Sequence, residues 1–567
     1  MSKKVIVVGG VAGGASVAAR VRRLDEDAEI TMFEKGPNVS FSNCSLPYHL
    51  SGTIKNADDI VLMHPEQFKR QYNIDAVVNT EVIDVDHAEK NVTIKNVSTS
   101  QTSKVDYDEL VLSPGAVPIV PNSIKGVHGN NVFTVRNVED IKALQGYIEE
   151  TNAKNITVVG GGFVGLEVME NLVEAGKNVS LVEAAHHIMA TIDDDMAQIA
   201  HKELLDNGVN LIVDDAVSAI SSTNVTLSSN KVIPTDVVVM AIGVKPDVSL
   251  AEKIGIKLGS TGAIAVNQNY QTNLPNIYAV GDAIEVTNMI TRKKQRLNLA
   301  FPAQMEARNA ADHMYGRTVT QRGVIGSQVI KLFKMNVAST GLTEKQCLDN
   351  GISYDIAMVI PKDKVALMPN AKPLYFKLIF GTPSGEILGA QAVGESGVDK
   401  QVDIIATMIS MHGHVEDLQN LELCYQPMFS TAKNAVNMAG LVATNILNGE
   451  FKQVRMSKVR GLVESGAMIV DAREPNEYKE GHIKGAINIP LSEFRDRLDE
   501  IPHNIPVYVH CLSSQRSYNM VRALGNLGYT NIYNIVGSFL GLSEYEYYHD
   551  TVDDRDPIID GYRFDLM

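Results

Sequence analysis

Val5-Ile6-Val7-Val8-Gly9-Gly10-Val11-Ala12-Gly13-Gly14 opens the chain, and an alanine-rich stretch then leads to Ile30-Thr31-Met32-Phe33-Glu34. The β-branched run predicts a strand, the glycines a tight turn, and the alanines a helix returning to a second strand that ends in an acid. That order is the fingerprint of a dinucleotide-binding βαβ unit, whose helix N-terminus turns free N–H groups toward a pyrophosphate. The first turn departs from the motif in one place: in the frame from Gly9 to Gly14, Val11 stands where the middle glycine belongs. A second copy is complete, from Ile156-Thr157-Val158-Val159 through Gly160-Gly161-Gly162-Phe163-Val164-Gly165 to Val179-Ser180-Leu181-Val182-Glu183. Glu34 and Glu183 are each expected to accept hydrogen bonds from a ribose. Glu183 would repel a 2′-phosphate and Ala184-Ala185 offers no arginine to attract one, so NADH is expected over NADPH.

Composition bounds what surrounds these units. A chain of 567 residues is too long for one core, and 44% hydrophobic with 21% charged residues is ordinary globular composition. A formal charge of −16 disfavours a nucleic-acid partner. No apolar run reaches membrane-spanning length and no cleavable signal pattern precedes the first strand, so neither membrane nor export is expected. The four cysteines, at 44, 347, 424 and 511, make neither a disulfide framework nor a metal-ligand spacing. A reducing, cytoplasmic setting without a bound metal follows as the expectation, with any reactive thiol used for chemistry.

Cys44 is the thiol that stands out. It lies ten residues past Glu34 in Ser40-Phe41-Ser42-Asn43-Cys44-Ser45-Leu46-Pro47-Tyr48. Where a dithiol enzyme carries Cys-x4-Cys, His49 stands five residues on, and a histidine cannot resolve a disulfide. Such a sulfur takes its bonding partner from outside the protein, and neighbouring donors or a flavin would have to lower its pKa for it to react. Cys347 and Cys424 are read as packing residues. Two more segments, Leu110-Val111-Leu112-Ser113-Pro114-Gly115 and Ile277-Tyr278-Ala279-Val280-Gly281-Asp282, read as strands ending in turns where chain leaves and re-enters the first unit.

Together these residues resemble the two-dinucleotide-domain flavoprotein reductases. Ser-Phe-x-Asn-Cys-x-Leu-Pro-Tyr is similar to their single-cysteine branch, the NADH-dependent coenzyme A-disulfide and persulfide reductases in particular. The resemblance implies an α/β fold with two Rossmann-like dinucleotide-binding domains and an α+β dimerisation domain. Residues 1–119 and 246–324 would form the FAD-binding domain, 120–245 the NADH-binding domain, and 325–445 the dimerisation domain. It implies FAD contacts at Gly9, Gly10, Val11, Ala12, Gly13, Gly14, Glu34, Lys35, Ser113, Pro114, Gly115, Gly281, Asp282, Pro302 and Ala303. For NADH it implies Gly160, Gly162, Phe163, Val164, Gly165, Glu167, Glu183 and Gly243. Coenzyme A would meet Ser16, Arg20, Arg23, Ser40, Asn43 and Lys433; Arg20 and Arg23, three apart on a helix, share a face suited to clamping phosphates. Tyr425 would reach the active site of a partner subunit in a homodimer. One departure stands out: Leu367-Met368-Pro369-Asn370 replaces a tyrosine-bearing stretch of the family, which makes room for substrates other than coenzyme A disulfide.

After a connector at 446–457, Ala467-Met468-Ile469-Val470-Asp471-Ala472-Arg473, Gly481-His482-Ile483-Lys484-Gly485-Ala486 and Pro506-Val507-Tyr508-Val509-His510-Cys511 are similar to a rhodanese domain, placed at 458–545. Cys511 and Arg516 frame a Cys-x4-Arg loop between a strand and a helix, where inward N–H groups suit a thiolate or persulfide. Arg516 is expected to close that loop, with Asp471 and Arg473 supporting it. Residues 546–567 read as an acidic tail on the surface. The expected activity passes electrons from NADH to FAD to a mixed disulfide on Cys44, with Cys511 handling sulfane sulfur and Tyr425 and Arg516 assisting. Coenzyme A disulfide, coenzyme A persulfide and polysulfide are the expected partners. Two other readings stay open: an NADH oxidase or peroxidase cycling a Cys44 sulfenic acid, and a redox sensor or sulfur-trafficking scaffold.

Overall fold

The first βαβ pattern folds as its sequence predicts. Lys4–Val8 pairs in parallel with Glu29–Phe33 on one side and Glu109–Leu112 on the other; Asp75–Val77 and Ile277–Ala279 extend the sheet to five strands. Val5, Ile6 and Val7 are buried, as are Leu110, Val111 and Leu112, because helices cover both faces of such a sheet. The helix Ala12–Leu24 leaves the glycine turn at Val11, and Arg22 ends it by donating to the carbonyls of Asp25, Glu26, Ala28, Tyr72 and Asn73. The second copy builds a parallel sheet in which Asn155–Val159 lies between Asn178–Val182 and Val237–Met240. Both sheets reverse their strand order beside the first strand of the βαβ unit, the place where open α/β sheets leave a crevice for ligands.

The structure, a computed structural model, describes Ser2–Leu566, and its chain gathers into two compact units: Met1–Ala184 with Asp215–Gly326, and Ala185–Asp214 with Ser327–Met567. The expected 120–245 domain is thus divided. Its segment Ala185–Asp214 is held in the second unit by a wholly buried lysine: Lys377 Nζ lies 3.1 Å from Asp193, 2.7 Å from Asp195 and 2.5 Å from Glu344. Among the described residues these three carboxylates are also the one group close enough together to hold a metal ion, and Lys377 already fills that place. Around it an antiparallel sheet runs Gln328–Leu332, Met335–Gly341, Ile387–Gly394, Leu374–Gly381 and Tyr354–Val359 in that order. Every residue of the strands Leu374–Gly381 and Ile387–Gly394 is buried.

A third parallel sheet follows in the same unit, ordered Lys452–Val454, Ile532–Ile535, Val507–His510, Met468–Asp471 and Ile487–Asn488. Two expectations change here. The connector at 446–457 contains the edge strand of this sheet, anchored by Phe451 in the core. Residues 546–567 are not a loose tail. The helix Ser538–Val552 runs past 545 and packs on the helix Asp194–Asp206, while Ile559–Asp560 adds a strand to His482–Ile483. The apolar anchors of that return, Ile558 and Ile559, are too few to make a periodic signal. Among the described residues no helix is long and apolar enough to cross a membrane.

The helix Ser538–Val552 carries a buried acid whose cost depends on pH. Burial pushes the Glu544 carboxyl up to about 8, and its Oε2 has no hydrogen-bond partner. The folded state therefore holds a proton that the unfolded chain releases near its ordinary carboxyl pKa of about 4.3, so stability falls as pH rises from there through 8. Replacing Glu544 with Gln is expected to raise the melting temperature above pH 8 and to matter little at pH 5. Equal shifts at both pH values in thermal unfolding would refute this.

Candidate active sites

Most residues expected to meet FAD follow the carboxyl end of a strand in the first sheet. Gly9, at φ +96°, directly follows Val8, and a Cβ there would lie 2.1 Å from the Ser113 carbonyl oxygen. On Gly14 a Cβ would lie 1.8 Å from the Gly9 carbonyl oxygen, so the helix can start this close to the strand only without side chains. Val11 fits at the middle position because it is the N-cap residue, with ordinary negative φ. Glu34 ends the neighbouring strand and accepts from the backbone N–H groups of Gly10 and Gly36, each at 2.8 Å. Ser113, Pro114 and Gly115 follow the strand Glu109–Leu112, and Gly281 and Asp282 follow the strand Ile277–Ala279. Ala303 is buried and Pro302 half-buried on the helix Ala300–Met314, whose Glu306 accepts from the Gly281 N–H at 2.7 Å. Lys35 points elsewhere: it pairs with Glu81 at 3.0 Å in solvent.

The second cradle repeats this construction. Gly160 has φ +109° and a Cβ on it would crowd the Ala241 carbonyl; Gly165 crowds Gly160 in the same way. A Cβ on Gly162 would meet nothing within 4 Å, so open space lies above the helix start at Phe163 and Val164, room that suits a pyrophosphate. Glu183 accepts from the Gly161 N–H at 2.6 Å, and Gly243 follows the strand Val237–Met240. The residues present fit dinucleotides at both turns.

Cys44 is tied to the first cradle through the backbone. Ser40, at φ +49°, donates its N–H to the Gly10 carbonyl and accepts from Leu62, while Ser42 donates to Ile60. Cys44 then sits in the 3-10 turn Asn43–Ser45, held from beneath by buried Leu46 and Leu50. Behind it, Ser51 donates to Asn171 at 2.7 Å, which docks this segment on the helix Phe163–Glu174 that also carries Glu167. Cys44 is an exposed residue, as is Asn43. Even so, the surrounding protein raises the thiol pKa, first by desolvation and then through the carboxylates of Glu167 and Asp282. Against these, a hydrogen bond from its own backbone N–H lowers it. Glu167 is itself pushed up to about 7, by burial and then by Glu170.

The expected arginine clamp is narrower than its spacing suggests. Arg20 donates through Nε and Nη2 to Asp312 at 2.9 and 2.5 Å, an acid on the helix Ala300–Met314 almost three hundred residues away in sequence. Arg23 stands exposed and Ser16 half-buried on the same helix. In the second unit, Cys347 is buried as expected, but Cys424 is exposed. With it, Tyr425, Met428, Phe429 and Lys433 stand out on a loop. The Pro427 carbonyl accepts from Val365, so the loop bearing exposed Leu367 runs alongside.

Cys511 directly follows the strand Val507–His510 and is buried. Its N–H donates to Ser538 Oγ, and Ser517 Oγ donates to its Sγ at 3.6 Å. Ser514, at φ +74°, turns the loop into the helix Gln515–Asn526. Asp471 and Arg473 form a fully buried pair at 2.6 Å at the end of the neighbouring strand. Arg516 departs from expectation: its guanidinium is engaged on both sides by Glu477 rather than lying free over the sulfur.

Residues 3–307 match the family described as pyridine nucleotide-disulphide oxidoreductase, 327–436 its dimerisation domain, and 456–544 the rhodanese-like domain. The chain belongs to the pyridine nucleotide-disulphide oxidoreductases. A coenzyme A disulfide reductase of Staphylococcus epidermidis is 33% identical over 78% of this chain and 99% of its own length. The crystal structure of reduced Bacillus anthracis CoADR-RHD is 44% identical, covers 96% of this chain and 99% of its own, and superposes with a TM-score of 0.93. An NAD-dependent persulfide reductase from A. fulgidus is 32% identical over 95% of this chain and 99% of its own, with a TM-score of 0.90. As a member of this oxidoreductase family the chain is an FAD- and NAD-using enzyme, and its two glycine cradles have the form those cofactors need.

Sequence reasoning missed Asp312, Glu306 and Glu477, whose roles come from chain segments folded back over long separations or across a loop. In this oxidoreductase, Glu167→Gln is expected to lower the apparent pKa of Cys44, because one of the two carboxylates that oppose its ionisation is gone. The rate of Cys44 alkylation against pH reads this directly. A profile that stays put or moves up would refute the electrostatic account.

Proposed function

We propose that this enzyme is an NADH-dependent FAD-containing reductase of coenzyme A disulfide and of persulfides, with polysulfide in the same class, and that Cys511 handles sulfane sulfur for it. The observation that carries the reading is the lone Cys44. The residue is exposed, its segment is hydrogen-bonded to the Gly10 turn, and it has no neighbouring cysteine. Bound FAD supplies the transfer of electrons from NADH to the sulfur held on Cys44. The chain's own part is to hold that sulfur. The Cys44 thiolate attacks a disulfide or persulfide, its S–S bond breaks, and the expelled thiolate takes up a proton. Burial, then the carboxylates of Glu167 and Asp282, oppose ionisation of Cys44, so the resting site disfavours the thiolate until a substrate or the cofactor binds.

Coenzyme A suits the exposed cation of Arg23, with Ser16, Ser40 and Asn43 as further contacts, and Lys433 with Tyr425 would complete the site from a second subunit of a homodimer. The exposed loop with Tyr425, Met428 and Phe429 supports such an interface. A water-forming NADH oxidase from Lactobacillus brevis is similar too, at 25% identity and a TM-score of 0.75, but over only 79% of this chain. The added rhodanese-like domain favours sulfur over oxygen as the acceptor.

Sulfide release from NADH plus coenzyme A persulfide is expected in the wild type and is expected to fall by about a hundredfold or more in Cys44→Ser. In Cys511→Ser, release from coenzyme A persulfide is expected to persist while transfer from other sulfane donors is lost. Full activity in Cys44→Ser would overturn the reading. Oxygen uptake matching NADH loss with no disulfide present would give the oxidase reading in its place.

A further inference from the structure

A lone guanidinium in the Cys511 loop would attract a dianion, since its fork matches two oxygens at once. In this structure the fork is already filled. Arg516 Nη1 donates to Glu477 Oε2 at 2.6 Å and Nη2 to Oε1 at 2.7 Å. Glu477 stands on the short helix Pro475–Glu480, which folds back over the loop, and the hydrogen bonds from Arg516 hold its carboxyl below the usual range. The second arginine of the site is charge-paired too: wholly buried Arg473 donates through Nε and Nη2 to Asp471, its Nη1 stays without a partner, and its guanidinium lies 4.1 Å from the centre of the Phe539 ring. His510, fully buried beside Cys511, is pushed below its ordinary value by burial and is neutral at pH 7. The charges around the sulfur therefore cancel in pairs. A thiolate on Cys511 is met by the Ser517 hydroxyl and the N-terminus of the helix Gln515–Asn526, while Arg516 is engaged by Glu477 and each arginine charge is balanced by its own carboxylate.

We propose that Glu477 sets the donor specificity of the Cys511 site: by occupying Arg516 it shuts out dianionic oxyanion donors and leaves the site to alkyl hydropersulfides, whose reacting S–S–H group brings at most one negative charge. The proposal rests on the reading of Cys511 as a sulfane-sulfur carrier. In the favoured step the Cys511 thiolate attacks the outer sulfur of R–S–S–H. The S–S bond of the donor breaks, a new one forms at Cys511, and the electron pair leaves on R–S⁻, which takes a proton from water. With thiosulfate the same attack would expel sulfite, and a dianion would have to approach a thiolate with every nearby cation already neutralised.

The test uses the full-length holoenzyme and follows the gain of one sulfur atom on Cys511 by mass spectrometry, with Cys511→Ser as background. Glutathione hydropersulfide and thiosulfate are the two probes. In the wild type, loading is expected from glutathione hydropersulfide and to be slower from thiosulfate by about tenfold or more. In Glu477→Gln, thiosulfate loading is expected to rise by about tenfold or more, while hydropersulfide loading stays within about twofold. NADH-dependent reduction at Cys44 reports that the variant is folded. Equal loading of the wild type by both probes overturns the proposal and leaves Cys511 a carrier, a result that does not depend on the variant. Unchanged thiosulfate loading in folded Glu477→Gln overturns it as well. If neither probe loads Cys511 in either protein, the carrier reading falls and the proposal falls with it.

Discussion

A carbonyl oxygen 1.8 Å from where a Cβ would stand on Gly14 is the tightest constraint in the first unit. The helix Ala12–Leu24 begins against the end of the strand Lys4–Val8 only because neither Gly9 nor Gly14 carries a side chain. That close start aims the helix N-terminus across the crevice and sets the Gly10 carbonyl where the Ser40 N–H can reach it. The segment that carries Cys44 is thus hung from the same turn that shapes the cofactor cradle. Crowding at Gly14 would move the reactive sulfur together with the cradle, since one backbone hydrogen bond joins them.

The same physics recurs in the two other parallel sheets. Gly160 and Cys511 each stand one residue past a strand flanked on both sides by parallel neighbours, where the chain leaves the sheet and a helix begins. Strand ends in a parallel sheet present their chain exits on one edge, and helix N-termini face that edge with unpaired N–H groups. An anionic group is welcome there, whether a pyrophosphate or a sulfur anion. A doubled dinucleotide unit and a sulfur-carrying domain therefore use one construction, and the residue after the strand decides the chemistry. A glycine admits the ligand's backbone approach, and a cysteine supplies a nucleophile.

Much of this was legible because it depends on local pattern. Strand, glycine turn, helix and acid lie within about thirty residues of one another, so both cradles and Glu34 and Glu183 could be read directly. What escaped reading depends on distant pairing. Arg20 looked free because Asp312 lies far along the chain; Arg516 looked free because Glu477 returns over a loop. The return of Ile558 and Ile559 into the last domain hid among acidic residues for the same reason. The division of 120–245 could not be read at all: it follows from Lys377, a buried charge whose acids come from two distant segments, Asp193 and Asp195 from one and Glu344 from the other. Such a lysine is costly to bury alone, so the segments that neutralise it are obliged to fold around it.

The two thiols that define this protein are prepared in opposite ways. Cys44 is open to solvent and faces carboxylates, so its surroundings hold back the anion until a substrate or cofactor arrives to favour it. Cys511 is closed off, and the charged side chains around it are neutralised pair by pair. A thiol under a negative field resists attack on arbitrary disulfides, which suits a site that must wait for electrons. A sulfur in a charge-balanced pocket has no strong attraction for passing anions. One chain can hold two reactive sulfurs because each is restrained by a different arrangement of acids, Glu167 and Asp282 at one and Glu477 with Asp471 at the other.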